Sequence, residues 1–398
     1  MKQIQYQKLP IERLASVPGH YFFGYYDLQP WSADGRFHLC QRVEFMDRLQ
    51  VATDRAELGM VRMCDGQFIP LSTTYAWNFQ QGSMLQWNPA KPGEEIIYNA
   101  LINNAFTGVI KNIVTGEVRI LSRPIAAVDP TGRFGLSINF SRLFDFRPGY
   151  GYAGIEDPFR NQAAPEDDGI FLVDLATGDS KLIVSLASLR QRFANAPAAA
   201  DKLMVNHITF NPDGSRFVFL LRNMSMPGGA SVNPNGGWKT ATLTANADGS
   251  GLHILMGFGM ASHYNWRDPE HLLIWTDGGG RKQPGLYLLR DRSQDVESLF
   301  IDADYYDGHC SYSPDRNYIL YDSYLHQEGY RKLLLYDLRK RSVTTLAKVY
   351  SGNVSHLATP DIRCDLHPRW NRDGIAISFD SIHEGHRNVY WMDLKEIL

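Results

Sequence analysis

Four histidines share one position relative to an aromatic residue. His207 in "HITF", His263 in "HYNW", His309 in "HCSY" and His367 in "HPRW" each stand three residues before the aromatic that opens a turn. Imidazoles that meet in space can bind a divalent metal ion through their free nitrogens or carry protons near neutral pH. Asp365 precedes His367 by two residues, on the same face if that segment is extended, and adds a carboxylate to the set. A single inward-facing histidine is more often a hydrogen-bonded core residue. Four in one register shift that balance, because packing alone has no reason to select imidazole each time. The spacing therefore predicts a polar cluster in which two or three imidazoles and the Asp365 carboxylate make a plausible divalent-metal set.

The elements that would position these residues are repeats. An aromatic or apolar residue, a turn built on Pro, Asp and Gly, and an apolar run recur as "PWSADGRFHL", "QWNPAKPGEEIIY", "AVDPTGRFGLSI", "TFNPDGSRFVFL", "NWRDPEHLLIW", "SYSPDRNYILY" and "RWNRDGIAISF". Proline fixes φ, Asp bonds back to its own backbone and Gly accepts positive φ, so each copy reads as a hairpin. Further strand pairs such as "GVIKNIVTGEVRIL" and "LLLYDLRKRSVTTL" follow. Two hairpins make a four-stranded antiparallel blade, and a ring of blades removes long exposed edges. The sequence thus predicts an all-β fold, a seven-bladed β-propeller forming a single domain over residues 1–398. The last copy is one strand short, and the strand-like "QIQYQKLP" near the start is the segment expected to complete it. At the histidine register the first three copies carry Leu28, Met84 and Ile125. The long insertion "SRLFDFRPGYGYAGIEDPFRNQAAPEDDG" lies between the third and fourth copies, where loops over a rigid scaffold commonly bind or cover something.

Composition narrows the partners. A net charge of −3 without a basic block gives no footprint for nucleic acid or an anionic membrane. No window approaches the length of a membrane-spanning helix, and "MKQIQYQKLP" lacks the apolar core of a secretory signal. Cys40, Cys64, Cys310 and Cys364 are widely spaced, which in such a chain reads as reduced thiols and a cytoplasmic location. There is no nucleophile elbow, phosphate loop or H-E-x-x-H motif. The Gly run "DGGGR" at Asp277 to Arg281 has no helix pattern after it to make a phosphate cradle.

The chain resembles the oligogalacturonate lyases, cytoplasmic seven-bladed propellers that split short uronic-acid oligosaccharides by β-elimination. The resemblance is most specific in "ASHYNWRDPEHLLIW" and "HPRWNRDGIAISFDSIHEGHRNVYWMDL". In that family manganese is held by a histidine of the fifth blade and by a glutamine and two histidines of the last. His263 and His367 match ligands, Asp365 stands where the earlier last-blade histidine would be, and Ile362 takes the place of the glutamine. The resemblance puts the family's proton-abstracting histidine at His207 and its assisting arginine at Gly169, so an arginine must come from elsewhere: Arg222, Arg142 and Arg147 are the candidates. It implies a lyase for a uronic-acid-containing oligosaccharide with manganese, or zinc, iron or nickel, as cofactor.

β-Elimination requires a base for the proton α to the carboxylate, and His207 is the first choice with His309 second. Arg222 would assist them. Sugar recognition calls for flat aromatic faces and planar polar forks, for which Arg147, Tyr150, Tyr152, Trp77 and Gln81 are suitable, with Gln80 and Trp238 of similar type. Trp77 could equally pack between blades, Asp27 could cap a strand end, and His383 and His386 fall in a hairpin loop. Two other readings stand: a glycoside hydrolase using paired acids such as Asp27 and Asp365, and a non-catalytic propeller serving as a binding platform.

Overall fold

The computed structural model describes residues 4–224, 238–280, 282–299, 307–324, 329–352, 357 and 359–398. Seven antiparallel sheets follow one another as blades, a seven-bladed β-propeller. Their innermost strands are His20–Phe22, Gln86–Trp87, Ala127–Val128, Lys202–Phe210, Ala261–Trp266, Cys310–Tyr312 and Arg369–Trp370. Two short helices, Phe140–Phe146 and Leu186–Arg192, are the α-helices among the described residues.

The recurring turns do the work their composition implies. In the fourth blade Asn211 Oδ1 accepts from the Arg216 amide, Asp213 Oδ1 accepts from Ser215, and Gly214 sits at φ +73°. Arg316 takes that left-handed position in "SPDRN" at φ +61°. Three of the tryptophans before these turns have a second task, tying their blade to the one before it. The indole Nε1 of Trp87 donates to Pro30 O at 2.9 Å, that of Trp266 to Thr209 O at 3.4 Å, and that of Trp370 to Ser311 O at 3.4 Å. Apolar clusters fill the spaces between blades, as in Tyr318, Leu320, Leu333 and Leu335 packed against Trp370, Ile377 and Phe379.

The ring closes through the N-terminal segment. Glu12–Arg13 pairs with Trp391 and Tyr390 as the fourth strand of the last blade. The stretch expected to complete the last blade joins the sixth instead: Ile4–Gln7 pairs with Val349, Lys348 and Ala347 as a fifth strand there. Gln29 Nε2 donates to Trp370 O at 3.3 Å and Arg372 Nε to Trp31 O at 3.0 Å, stitching first blade to last. The helix Phe140–Phe146 anchors the long insertion: Arg142, fully buried, pairs with Asp157 at 3.0 Å and donates to four carbonyls, among them Leu203 O at 2.7 Å.

Deleting residues 1–13 exposes the outer edges of two blades and removes the closing strand. The truncated protein is expected to melt at a lower temperature than the full chain in scanning calorimetry and to scatter light as it unfolds. An unchanged melting curve would show that the closure carries no stability.

Candidate active site at the propeller axis

The four histidine rings do converge. His263 and His309 have ring centroids 3.9 Å apart, and His309 and His367 4.2 Å apart. Tyr25 touches His207, His309 and His367, with centroids at 4.8, 5.7 and 5.1 Å, and Tyr26 touches His207, His263 and His309 at 5.7, 6.0 and 5.1 Å. These tyrosines come from the irregular stretch "GYYDLQ" after the first inner strand, which enters the axis instead of continuing the sheet. Arg369 holds it there, donating to Gly24 O at 2.7 Å and Tyr25 O at 3.2 Å while paired with Asp380 at 3.0 Å.

The backbone contributes to aiming the rings. His207 and His367 lie at φ +47° and +43°, and Met84, at the same register, lies at +56°. Histidine tolerates this left-handed region better than most side chains. At His207 the strand pairing slips by one residue, so the ring projects from a bulge.

Carboxylates from other elements fix three of the rings and the backbone of the fourth. Asp322 accepts from His309 Nδ1 at 3.0 Å through both oxygens and from the amides of His309 at 2.6 Å and His367 at 3.1 Å. Asp307 bonds His263 Nδ1 at 2.9 Å, and Asp27 bonds His207 Nε2 at 2.9 Å. Burial opposes ionisation of Asp322 and Asp27, but His309 and Arg331 around the first, and His207 and Thr209 around the second, bring both below the ordinary carboxylate value. Burial pushes His207, His263 and His367 below the ordinary imidazole value, helped at His263 and His367 by His309. The rings are therefore neutral at pH 7.

Besides Nδ1 of His207, two ring nitrogens at the axis are buried with no hydrogen-bond partner among the described residues: Nε2 of His309 and Nε2 of His367. With Asp365, ligand atoms of these residues lie within 4.8 Å of one another. An imidazole held at Nδ1 by a carboxylate, with Nε2 free, is a common arrangement for a metal ligand. The donor set fits a divalent ion. The cluster of ligand atoms takes in His309 in place of the expected His263, whose ring packs on His309 with its Nδ1 on Asp307 and its Nε2 3.4 Å from the Tyr324 hydroxyl. Asp365 is less free than its spacing suggests, because Arg331 pairs with Oδ1 and Arg363 donates to Oδ1 at 3.0 Å while standing 2.8 Å from Oδ2. Burial works against its ionisation, yet those guanidiniums hold it well below the usual carboxylate range. His309, which the sequence ranks as a second base, stands among the ligand atoms; His207 stands apart, stacked on Tyr264 at 4.1 Å and 15°.

Arginines and aromatics form the rim. Arg222 is buried with Nε and Nη1 unpartnered among the described residues, and burial together with Arg147 brings it down to about 10. Its guanidinium lies 5.8 Å from the Trp238 ring, and that of Arg147 lies 5.2 Å from Trp238 and 4.1 Å from Tyr150. The Tyr150 hydroxyl accepts from Arg363 at 3.2 Å. Gln81 lines a small cavity with Tyr25, Asp27 and His207, while Gln80 is spent on Asp361 O and Arg363 O at 3.0 Å each.

Other expected residues lie elsewhere. Trp77 is fully buried, donates to Asp54 O at 2.9 Å and packs on Phe22, Phe45 and Phe79, so it is core between blades and no sugar platform. Tyr152 stacks flat on Phe140 at 4.3 Å and takes a bond from Asn99, which leaves its face covered. Arg142 is the structural anchor already described. His383 bonds Ser381 and packs on Tyr390, away from the axis. Arg281 and most of the loop before Trp238 lie outside the described residues.

The comparisons can be set against this geometry. An oligogalacturonate lyase from Vibrio parahaemolyticus superposes with a TM-score of 0.66 over 98% of this chain and 95% of that one, at 13% identity. A structure of oligogalacturonate lyase in complex with manganese gives 0.68 over the same shares, at 14% identity. The fold is that of the oligogalacturonate lyases. A puromycin hydrolase S511A mutant complexed with PGG matches with a TM-score of 0.55 over 96% of this chain and 53% of that one, at 15% identity. No family model and no curated protein matches the sequence. Among the described residues no helix is long and apolar enough to cross a membrane.

Two outcomes follow from the electrostatics. Replacing the unpaired guanidinium in Arg222→Met removes a buried charge, and is expected to raise unfolding free energy by about 1–2 kcal/mol in urea titration; a clear loss would mean the charge is compensated. Because His207, His263 and His367 take protons less readily folded than unfolded, their contribution is present above the ordinary imidazole value of 6.5 and lost as pH falls below it. Melting temperature should drop through that range, and less so in a His367→Gln variant.

Proposed function

We propose that this protein is a metal-dependent lyase that cleaves a uronic-acid-containing oligosaccharide by β-elimination. The observation that carries the reading is the combination at one axis of two buried imidazole nitrogens and a buried guanidinium edge, all unpartnered among the described residues, with a neutral histidine held by a carboxylate. His309 and His367, with His263 and Asp365 beside them, would hold the ion, for which manganese is first choice and zinc, iron or nickel are chemically compatible. A bound divalent ion would supply charge stabilisation for the substrate carboxylate. The fold shared with a manganese-bound oligogalacturonate lyase supports the choice.

The chain's own groups divide the remaining tasks. Arg222 pairs with a substrate carboxylate and stabilises the negative charge that builds there as the α-proton leaves. His207 takes that proton, being neutral at working pH. Trp238, half-buried, offers a face to the sugar, with Arg147 between it and the buried Tyr150 and Gln81 at the cavity below. Tyr25 and Tyr324 are kept protonated by burial, so either phenol can donate to the departing oxygen. Four thiols without disulfides fit a cytoplasmic enzyme.

A hydrolase would need one carboxylic acid kept protonated near neutral pH. Asp27 and Asp365 are both held below the ordinary carboxylate value, which disfavours that reading. The test is incubation of purified protein with manganese and a panel of uronate oligomers while following the ultraviolet absorbance of the unsaturated product. Absorbance should rise, and His207→Ala should lower kcat by about 10²–10⁴-fold. A flat trace across the panel would remove the lyase. New reducing ends without absorbance would indicate hydrolysis. Metal analysis adds a second check: the wild type should retain stoichiometric manganese after dialysis, and a His309→Ala, His367→Ala double variant should not.

A further inference from the structure

Asp27 stands outside the histidine register and shares no strand with His207, yet its Oδ2 accepts both from His207 Nε2 at 2.9 Å and from Thr209 Oγ1 at 2.9 Å. An ionised carboxylate has only acceptors. The hydrogen of the neutral ring therefore lies on Nε2, and the lone pair is left on Nδ1. That atom is buried and has no partner among the described residues. Every other aspect of the ring is fixed: Tyr264 stacks on its face, Tyr25 meets it edge-on at 85°, and its backbone is held at φ +47°. A buried nitrogen left without a partner is costly, and ring packing alone gives no reason to accept that cost.

We propose that Asp27 is the positioning residue for His207, holding the ring so that Nδ1 is its working nitrogen and stabilising the imidazolium formed when Nδ1 takes a proton. The proposal rests on His207 being the base of the lyase reading. In that step the proton passes from carbon to Nδ1, the C–H electron pair becomes the new carbon–carbon double bond, and the bond to the leaving oxygen breaks with its electrons on oxygen. Asp27 stays ionised throughout and receives no proton, as an orienting carboxylate does beside a catalytic imidazole.

The carboxylate can be reached from the side of the ring away from Arg222. Arg222 pairs across the sheet with Met204, whereas Thr209 lies further along the same inner strand, past His207. At about 3.3 Å per residue that separation is roughly 16 Å. Asp27, Thr209, Gln86 and Arg372 line a cavity of about 300 Å³ at that end, and Asp27 and His207 share a smaller one of about 10 Å³. A small carboxylate can enter the larger cavity and take the place of a deleted side chain.

The test uses the full chain as Asp27→Ala and Asp27→Asn, with ¹⁵N-histidine labelling. In the wild type at neutral pH, His207 should show a protonated Nε2 and an unprotonated Nδ1. Asp27→Ala should mix the two tautomers, and added sodium formate should restore the wild-type pattern. With uronate oligomers, Asp27→Asn, which keeps the shape and removes the charge, should lower kcat at least about 10²-fold with KM within a few-fold, and formate should restore part of the lost rate to Asp27→Ala. Hydrogen on Nδ1 in the wild type, an unchanged spectrum in Asp27→Ala, or full kcat in Asp27→Asn would overturn the proposal. The spectra need no turnover: a chain without lyase activity that shows the tautomer response would keep the Asp27–His207 pair and discard the lyase.

Discussion

Bringing imidazoles from three blades into contact, with a fourth beside the same two tyrosines, is possible only while protonated rings do not face one another and each keeps a fixed orientation. With centroids as close as 3.9 Å, two protonated rings would repel across a buried site with little solvent to screen them. Burial keeps protons off, and acids from other elements set which nitrogen is free. Asp322 serves two neighbouring blades at once, bonding the ring of His309 and the backbone of His367. The Nε2 of His309 is free because Asp322 takes up its Nδ1.

The same constraint explains the unusual first blade. Its inner strand ends at Phe22, and the chain then passes Tyr25 and Tyr26 into the axis, where their rings separate and support the histidines. Gly24, at φ +137°, permits the approach, since a Cβ there would stand 2.8 Å from Gln81 O. The Tyr26 hydroxyl donates to Tyr264 O at 2.6 Å and accepts from Tyr264 N at 2.9 Å, pinning the segment to the fifth blade. Asp27 follows directly. Fold closure and site assembly thus run through one stretch of chain: Gln29, two residues on, bonds the last blade.

Much of the fold was legible because its signals are local. The Pro, Asp and Gly turns act on their own backbone, and the aromatic before each turn reports the start of a blade. The histidine register was legible for the same reason, being a fixed distance from that aromatic. The partners of the rings were not. Asp27 and His207 are 180 residues apart, and nothing periodic links them. Asp307 and Asp322 lie nearer, flanking "HCSY" and ending the strand Tyr318–Asp322, so the pairing of His309 could have been read from a hairpin drawn in register. Asp365 was found but misjudged in one respect: Arg331 from the neighbouring blade, whose pairing no spacing foretells, takes up its charge. Trp77 and Tyr152 show the converse, since the residue types that stack on sugars are also those that fill the gaps between blades.

The central claim is that the free nitrogens at the axis form one metal site. The most direct measurement is anomalous diffraction from crystals grown with manganese, recorded on both sides of the metal edge. The account predicts a single strong peak within bonding distance of His309 Nε2 and His367 Nε2. A map with no peak there, or with manganese only at surface carboxylates, would contradict it.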